Sequence, residues 1–207
     1  MGNGQHPGPT DAGTAFPVDD GTLARISSPP PAPIGLKGGN AKGTTASLGE
    51  QVVAYARQRR GQVVGDGECF TLADNALRNA GARSAADYGA VTPDADYQWG
   101  TSVSLSDLRT GDVVQFRNYR YDREVETQHT DGSSETQTEF QERPHHTAIV
   151  ERVGAGGAVT VLEQNAPVGA PVTRSELFFS NRDETNGEVR TTIRVRGRFS
   201  FYRPEAR

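Results

Sequence analysis

The sequence predicts an α+β domain with N-terminal helices packed on an antiparallel β-sheet. Apolar residues recur at helical spacing twice, both times in the first half of the chain. The second half is dominated by alternating apolar and polar runs. Two of those runs are joined by Gly154-Ala155-Gly156-Gly157, a loop short enough to make them hairpin partners. Helices first and strands afterwards is the order of an α+β fold rather than of alternating βαβ units.

The elements follow in order. Residues 1–45 are rich in Gly, Pro, Thr, Asp and Ser, with the stiff spacer Pro29-Pro30-Pro31-Ala32-Pro33, and are expected to form a disordered leader. The domain is expected to span 46–207. Ser47 with Glu50 three residues on is a capping-box pattern, and Leu48, Val52, Val53 and Ala56 continue it as a helix to about Arg59. A second helix is expected from Cys69 to Ala80, with Leu72, Ala73, Ala76 and Leu77 on one stripe and Gly81 as its stop. Strands are expected at Val113–Phe116, His146–Arg152, Val159–Glu163 and Val189–Tyr202. Between the first two, residues 117–143 are long and polar, with a turn at Asp131-Gly132, and read as an exposed two-stranded β-ribbon inserted in the sheet.

Composition excludes several classes of function. The formal net charge is −4, so no global basic field invites nucleic acid. No apolar run approaches the ~18 residues of a membrane span. The first thirty residues lack the basic and apolar regions of a secretory signal, so the chain is expected to be soluble and to reach any extracytoplasmic substrate by another route. With one cysteine, no intramolecular disulfide forms. Cys69, His129, His145 and His146 lack metal-ligand spacing, and no metal or cofactor is expected.

That lone cysteine stands where a glycine-broken turn, Gly65-Asp66-Gly67, gives way to a helix. The positive end of the helix dipole favours an anionic sulfur there. Alternation puts His146, Ala148 and Val150 on one strand face, and Val159, Val161, Glu163 and Asn165 on one face of the next. A turn at 154–157 sets His146 opposite residues 163–165, so an imidazole and an oxygen of Glu163 or Asn165 come within reach. A thiol, a histidine to hold its proton and a third group to orient the ring are the parts of a cysteine nucleophile. Asp66 and Glu68 are the wrong company for such a sulfur unless they turn away or find partners. Gln62 is a candidate amide donor upstream of it. Tyr97 and Trp99 are candidates to line a substrate groove or to pack the helix–sheet junction. Arg190, Arg194, Arg196 and Arg198 repeat at strand spacing and are expected on a solvated outer face.

Taken together, these residues resemble a known family. Cys69 at the head of a helix, the later Trp99-Gly100, Gly111-Asp112-Val113-Val114, His146-x-Ala148-Ile149-Val150-Glu151 and Glu163-x-Asn165 are similar to the CHAP domain of cysteine, histidine-dependent amidohydrolases and peptidases. The resemblance spans about residues 47–203 and implies the papain-like fold that CHAP shares with the NlpC/P60 group. It implies Cys69 as nucleophile, His146 as general base and later acid, Glu163 as the orienting third member, and Asn165 supporting or sharing that role. Glu68 departs from the glutamine that CHAP domains often carry before the cysteine. The implied substrate is the peptide part of bacterial peptidoglycan. The alternatives are deamidation or acyl transfer on another amide, and a non-catalytic binding module.

Overall fold

In a computed structural model the described residues are 46–207, and the leader expected at 1–45 lies outside them. Helix α1 runs Leu48–Gln58 and begins with both halves of its capping box: Ser47 Oγ accepts from Glu50 N–H (3.3 Å) and Glu50 Oε2 accepts from Ser47 N–H (2.6 Å). Helix α2 runs Cys69–Asn79 and is followed by Gly81 in the left-handed region at φ 74°. The two helices bury Val52, Val53, Ala56, Leu72, Ala73, Ala76 and Leu77 against Val113, Ile149 and Leu162 of the sheet. Each Val or Leu buried there contributes roughly 1.5–3 kcal/mol, well above the ~0–1 kcal/mol of an exposed ion pair such as Arg78–Asp74. Glu151, buried on the helix-facing side, ties the layers by accepting from Arg57 of α1 (2.9 Å) and from Arg174 of a later strand.

Among the described residues the sheet has seven antiparallel strands: β1 (Thr101–Val103), β2 (Val113–Gln128), β3 (Ser134–Val153), β4 (Ala158–Glu163), β5 (Thr173–Phe178), β6 (Arg182–Asn186) and β7 (Val189–Arg203). Their order is β1-β7-β2-β3-β4-β5, with β6 sharing the β1 edge of β7 at its opposite end. All four expected strands are present. Ile149 pairs with Leu162 and Val150 with Val161, the register that sets residue 146 against 165.

Three strands lie outside the expectation. β1 has three residues, and β6, Arg-Asp-Glu-Thr-Asn, is wholly polar and mostly exposed. β5 buries only Leu177 and Phe178, so none of the three carries an apolar alternation. The Asn186-Gly187 pair was the legible signal for β6: Gly187 takes φ 61° in a two-residue hairpin loop. The reading of 117–143 as a two-stranded ribbon is corrected. β7 pairs along β2 from Arg120 to Thr127 and β6 pairs with β7, so the extension has four strands.

This extension bends off the main sheet along one line. Asn118 takes φ 51°, the β2–β7 register shifts by one between Arg117 and Arg120, and Pro144 lies across from Asn118 on β3. The bend also changes phase. Val114 and Phe116 face the second core before it, Tyr119 and Tyr121 after it, so the inward residues switch from even to odd. On β7 the opposing residue is Gly197 at φ 92°, where a Cβ would sit 2.0 Å from the Asn118 carbonyl oxygen. Gly197→Ala is therefore expected to lower stability by more than about 1 kcal/mol. A urea-unfolding midpoint unchanged from wild type would contradict that.

On the face away from the helices the sheet curls on itself. Phe179, just after β5, stacks on Phe116 and meets Tyr119, Phe199 and Phe201 of β2 and β7. Tyr119 Oη donates to the Phe178 carbonyl (2.6 Å) and accepts from the Phe178 N–H (3.2 Å). β5 and β7 stand at opposite sides of β2, β3 and β4 in the strand order, so these contacts require a half-closed barrel.

Candidate active site

The β3–β4 ladder stops at Ile149–Leu162. Just beyond that point His146 and Glu163 face the same way, and the N-terminus of α2 brings Cys69 to the imidazole. His146 Nε2–H donates to Glu163 Oε2 at 2.9 Å, which leaves Nδ1 for the thiol. Glu163 is fully buried and His146 nearly so, whereas Cys69 is half-buried. Burial works against a charged His146, but hydrogen bonds to Cys69 and Glu163, and their charges, outweigh it and push its pKa up to about 9. Burial likewise opposes a charged Glu163. Its bonds to His146 and Arg143 prevail and hold the carboxyl at about 2.

Arg143 is the residue that sequence periodicity does not reach. It lies three positions before His146, on the opposite face of a regular strand. The phase change at Pro144 turns it to the same side, where Nε donates to Glu163 Oε2 (2.8 Å) and Nη2 to Glu163 Oε1 (2.5 Å). Glu163 is thus clamped in two directions, by a guanidinium fork and an imidazole. Gln141 Oε1 in turn accepts from Arg143 Nη2 at 3.0 Å.

Gln164 was also missed, being read only as a spacer between Glu163 and Asn165. It is fully buried and clasps the turn before the cysteine. Its Oε1 accepts from Val64 N–H (2.9 Å), and its Nε2 donates to the carbonyls of Val64 (2.9 Å) and Glu68 (2.8 Å). The end of β4 is therefore bonded to the segment that launches α2, which fixes Cys69 relative to Glu163 and His146. Gln164→Ala strands the buried Val64 N–H, while the carbonyls of Val64 and Glu68 keep the N–H groups of Gly67, Thr71 and Leu72, and is expected to cost about 1–3 kcal/mol in chemical denaturation.

The two doubtful carboxylates have partners. Asp66 Oδ1 accepts from Thr71 Oγ1 (2.6 Å) and Glu68 N–H (3.1 Å), anchoring the first turn of α2. The Thr71 and Glu68 bonds lower its pKa. Glu68 Oε2 accepts from Asn165 Nδ2 at 3.1 Å. The cysteine opens on a cleft of about 790 Å³ lined by Glu68, Cys69, residues 140–146, residues 165–168 and Ser175.

A protein-family model described as the AIM3/BBC1 cysteine proteinase-fold domain matches residues 25–191. The chain belongs to that family. No curated protein and no solved structure gives a significant match. The match shows the cysteine-proteinase fold that the papain-like expectation required; CHAP is not the family it names.

Several expected site residues of this AIM3/BBC1 cysteine proteinase-fold domain stand elsewhere. Asn165 makes no hydrogen bond to the His146 ring. β4 ends at Glu163 and Asn165 turns to φ 64°, where Oδ1 accepts from Gly169 N–H (2.6 Å), so it shapes the cleft rim and holds Glu68. Tyr97 and Trp99 do not line the cleft. Trp99 is 0% exposed and its Nε1–H donates to Gln115 Oε1 (3.0 Å), while Tyr97 Oη donates to the Thr92 carbonyl. Both rings pack with Phe70 at the helix–sheet junction because each polar tip finds an acceptor there, Gln115 for Trp99 and the Thr92 carbonyl for Tyr97. His145 Nε2 bonds the Ala95 carbonyl (2.8 Å), Gln62 is exposed outside the cleft, and His129 lies at the hairpin tip. Arg194, Arg196 and Arg198 pair with Asp183, Asp122 and Asp96. Among the described residues, no cluster of three or more His, Cys, Asp or Glu is placed to hold a metal, and no helix is long and apolar enough to cross a membrane.

Proposed function

We propose that the domain is a cysteine-dependent amide hydrolase in which Cys69 is the nucleophile, His146 the proton carrier and Glu163 the group that orients and charges the imidazole. The observation that carries this reading is the buried His146–Glu163 pair with Cys69 at its open side, in the same cleft. The sulfur anion attacks the amide carbon, forming the S–C bond. The first N–H groups of α2, at Cys69 and Phe70, have no carbonyl one turn back and face the oxyanion that develops. Protonated His146 gives its proton to the departing amine as the C–N bond breaks. It then takes a proton from water, which attacks the thioester and frees the sulfur. Arg143 and Gln164 act as positioning residues, one on Glu163 and the other on the cysteine turn.

The peptide part of peptidoglycan is the substrate class that the CHAP resemblance implies, and it is the first to assay. Purified peptidoglycan and an unfolded protein would each be incubated with wild type and with Cys69→Ala, and the products read by mass spectrometry. A Cys69-dependent product with a new carboxyl group supports the reading. Absence of any such product, together with no trapping of Cys69 by an electrophilic peptide ketone, sinks it.

A further inference from the structure

The cleft is lined by seven consecutive residues of β3, Phe140 to His146. Side chains alternate across a strand, so a cleft on one face would be lined by every second residue. An unbroken run means that the cleft follows the strand's edge. That edge is open. β4 pairs with β3 only from Ile149 to Val153, and among the described residues no strand pairs with β3 from 134 to 148 on that side. The direction of the main-chain groups is also fixed. His129 N–H donates to the Ser133 carbonyl, and Gln128 N–H donates to the Glu188 carbonyl beside β7. In an antiparallel ladder these bonds alternate, so odd residues of outer β3 bond β2 while the N–H and C=O of Thr136, Thr138, Phe140 and Glu142 face outward.

We infer that this edge, together with the cleft it borders, binds the acyl donor as an extended L-polypeptide, added as a strand along β3 with its scissile bond at Cys69. The inference rests on the hydrolase reading and names its substrate class. Phe140 to His146 span about 20 Å at ~3.3 Å per residue, room for roughly six residues of an extended chain. Main-chain bonds to the edge supply affinity irrespective of sequence, and the exposed apolar rim of Phe140, Pro167 and Val168 receives side chains. Arg143 is occupied by Glu163 and Glu142 is shared with Arg120, so Glu68, bonded only to the neutral Asn165 amide, sets the charge of the rim and favours basic side chains over acidic ones. A murein stem with its D-residues and side-chain-linked amides breaks this main-chain repeat after a few atoms.

The test uses the full chain. A degenerate library of L-dodecapeptides is selected on immobilised Cys69→Ala, and the tightest binder is remade with single N-methyl groups along its backbone. Methylation at alternate positions is expected to weaken binding about fivefold each, the effect of one lost neutral hydrogen bond, with little change between them. Phe140→Pro removes an outward N–H at a free edge, where proline is tolerated, and Phe140→Ala removes only the ring. The proline variant is expected to bind the peptide about fivefold more weakly than the alanine variant. Equal binding by the two variants overturns the inference, as does indifference to N-methylation, or selection of no peptide at all. So does a wild-type dimer in light scattering that Phe140→Pro dissolves, since the edge then belongs to a second copy. Failure of the hydrolase reading looks different: alternate-position sensitivity persists in binding, yet wild type never cleaves the peptide.

Discussion

Replacing Cys69 by Ala is expected to reduce amide turnover by about 10⁴-fold or more, and His146→Ala to do the same. The double variant is expected to lose no more than either alone, because the sulfur and the imidazole act as one unit. A thiol without its proton carrier is a poor nucleophile in this pocket, and a carrier without the thiol has nothing to activate. Stability distinguishes these changes from damage to the fold. Cys69 is half-buried at the mouth of the cleft, and alanine there removes only the sulfur's bond to His146, whose other ring nitrogen stays on Glu163. Removing His146 leaves Glu163 clamped by both guanidinium bonds from Arg143, so the buried carboxylate keeps a counter-charge. Cys69→Ala should therefore unfold near the wild-type midpoint, whereas His146→Ala, which gives up the buried bond to Glu163, should unfold earlier yet still cooperatively. By contrast, Glu163→Ala leaves Arg143 and His146 facing one another without the anion between them, a loss of about 3–5 kcal/mol by the usual cost of breaking a buried pair. Steady-state kinetics beside urea unfolding on the same preparations checks all of these. Cleavage that survives Cys69→Ala would remove the thiol from the chemistry.

Much of the site was readable because its parts obey local rules. Cys69 starts a helix whose apolar stripe and terminal glycine are plain in the sequence, and His146 and Glu163 sit at strand positions that period-two alternation places on one face. The short loop at 154–157 then supplies the register that brings them together. What stayed hidden depends on departures from those rules. Arg143 joins Glu163 only through the phase change at the bend, and that bend needs Pro144, Asn118 and Gly197 from three strands acting across the sheet. Asn165 seemed equivalent to Glu163 by alternation, yet the strand ends between them and the left-handed turn at Asn165 cancels the periodicity. Trp99 and Tyr97 were ambiguous because an aromatic ring with a polar tip suits a groove or a core, and only the acceptors Gln115 and Thr92 decide between them. The polar strands β5 and β6 owe their place to tertiary pairing rather than to any alternation of their own.

The pH dependence of turnover is expected to carry the signature of the Glu163 clamp. With His146 pushed up from its ordinary 6.5 to about 9, the imidazolium that protonates the leaving amine persists through neutral pH, and activity falls as pH rises through about 9. Glu163→Gln keeps a side chain of the same shape but removes the anion, so the alkaline limb moves to lower pH and kcat falls by roughly 10²–10⁴-fold, on the scale of losing the orienting carboxylate of a catalytic triad. Stability follows the same two groups with opposite signs. The raised His146 contributes stability that is fully present below about 6.5 and is lost as pH rises through about 9. The lowered Glu163 contributes stability that is present above about 4.5 and is lost as pH falls through about 2. The gap in stability between wild type and Glu163→Gln should therefore be widest between about pH 4.5 and 6.5 and narrow on both sides. Thermal melts of the two proteins from pH 3 to 10, set beside their rate profiles, read both effects. An alkaline limb that does not move, with a stability gap that is flat across the range, would mean that Glu163 neither charges nor orients His146.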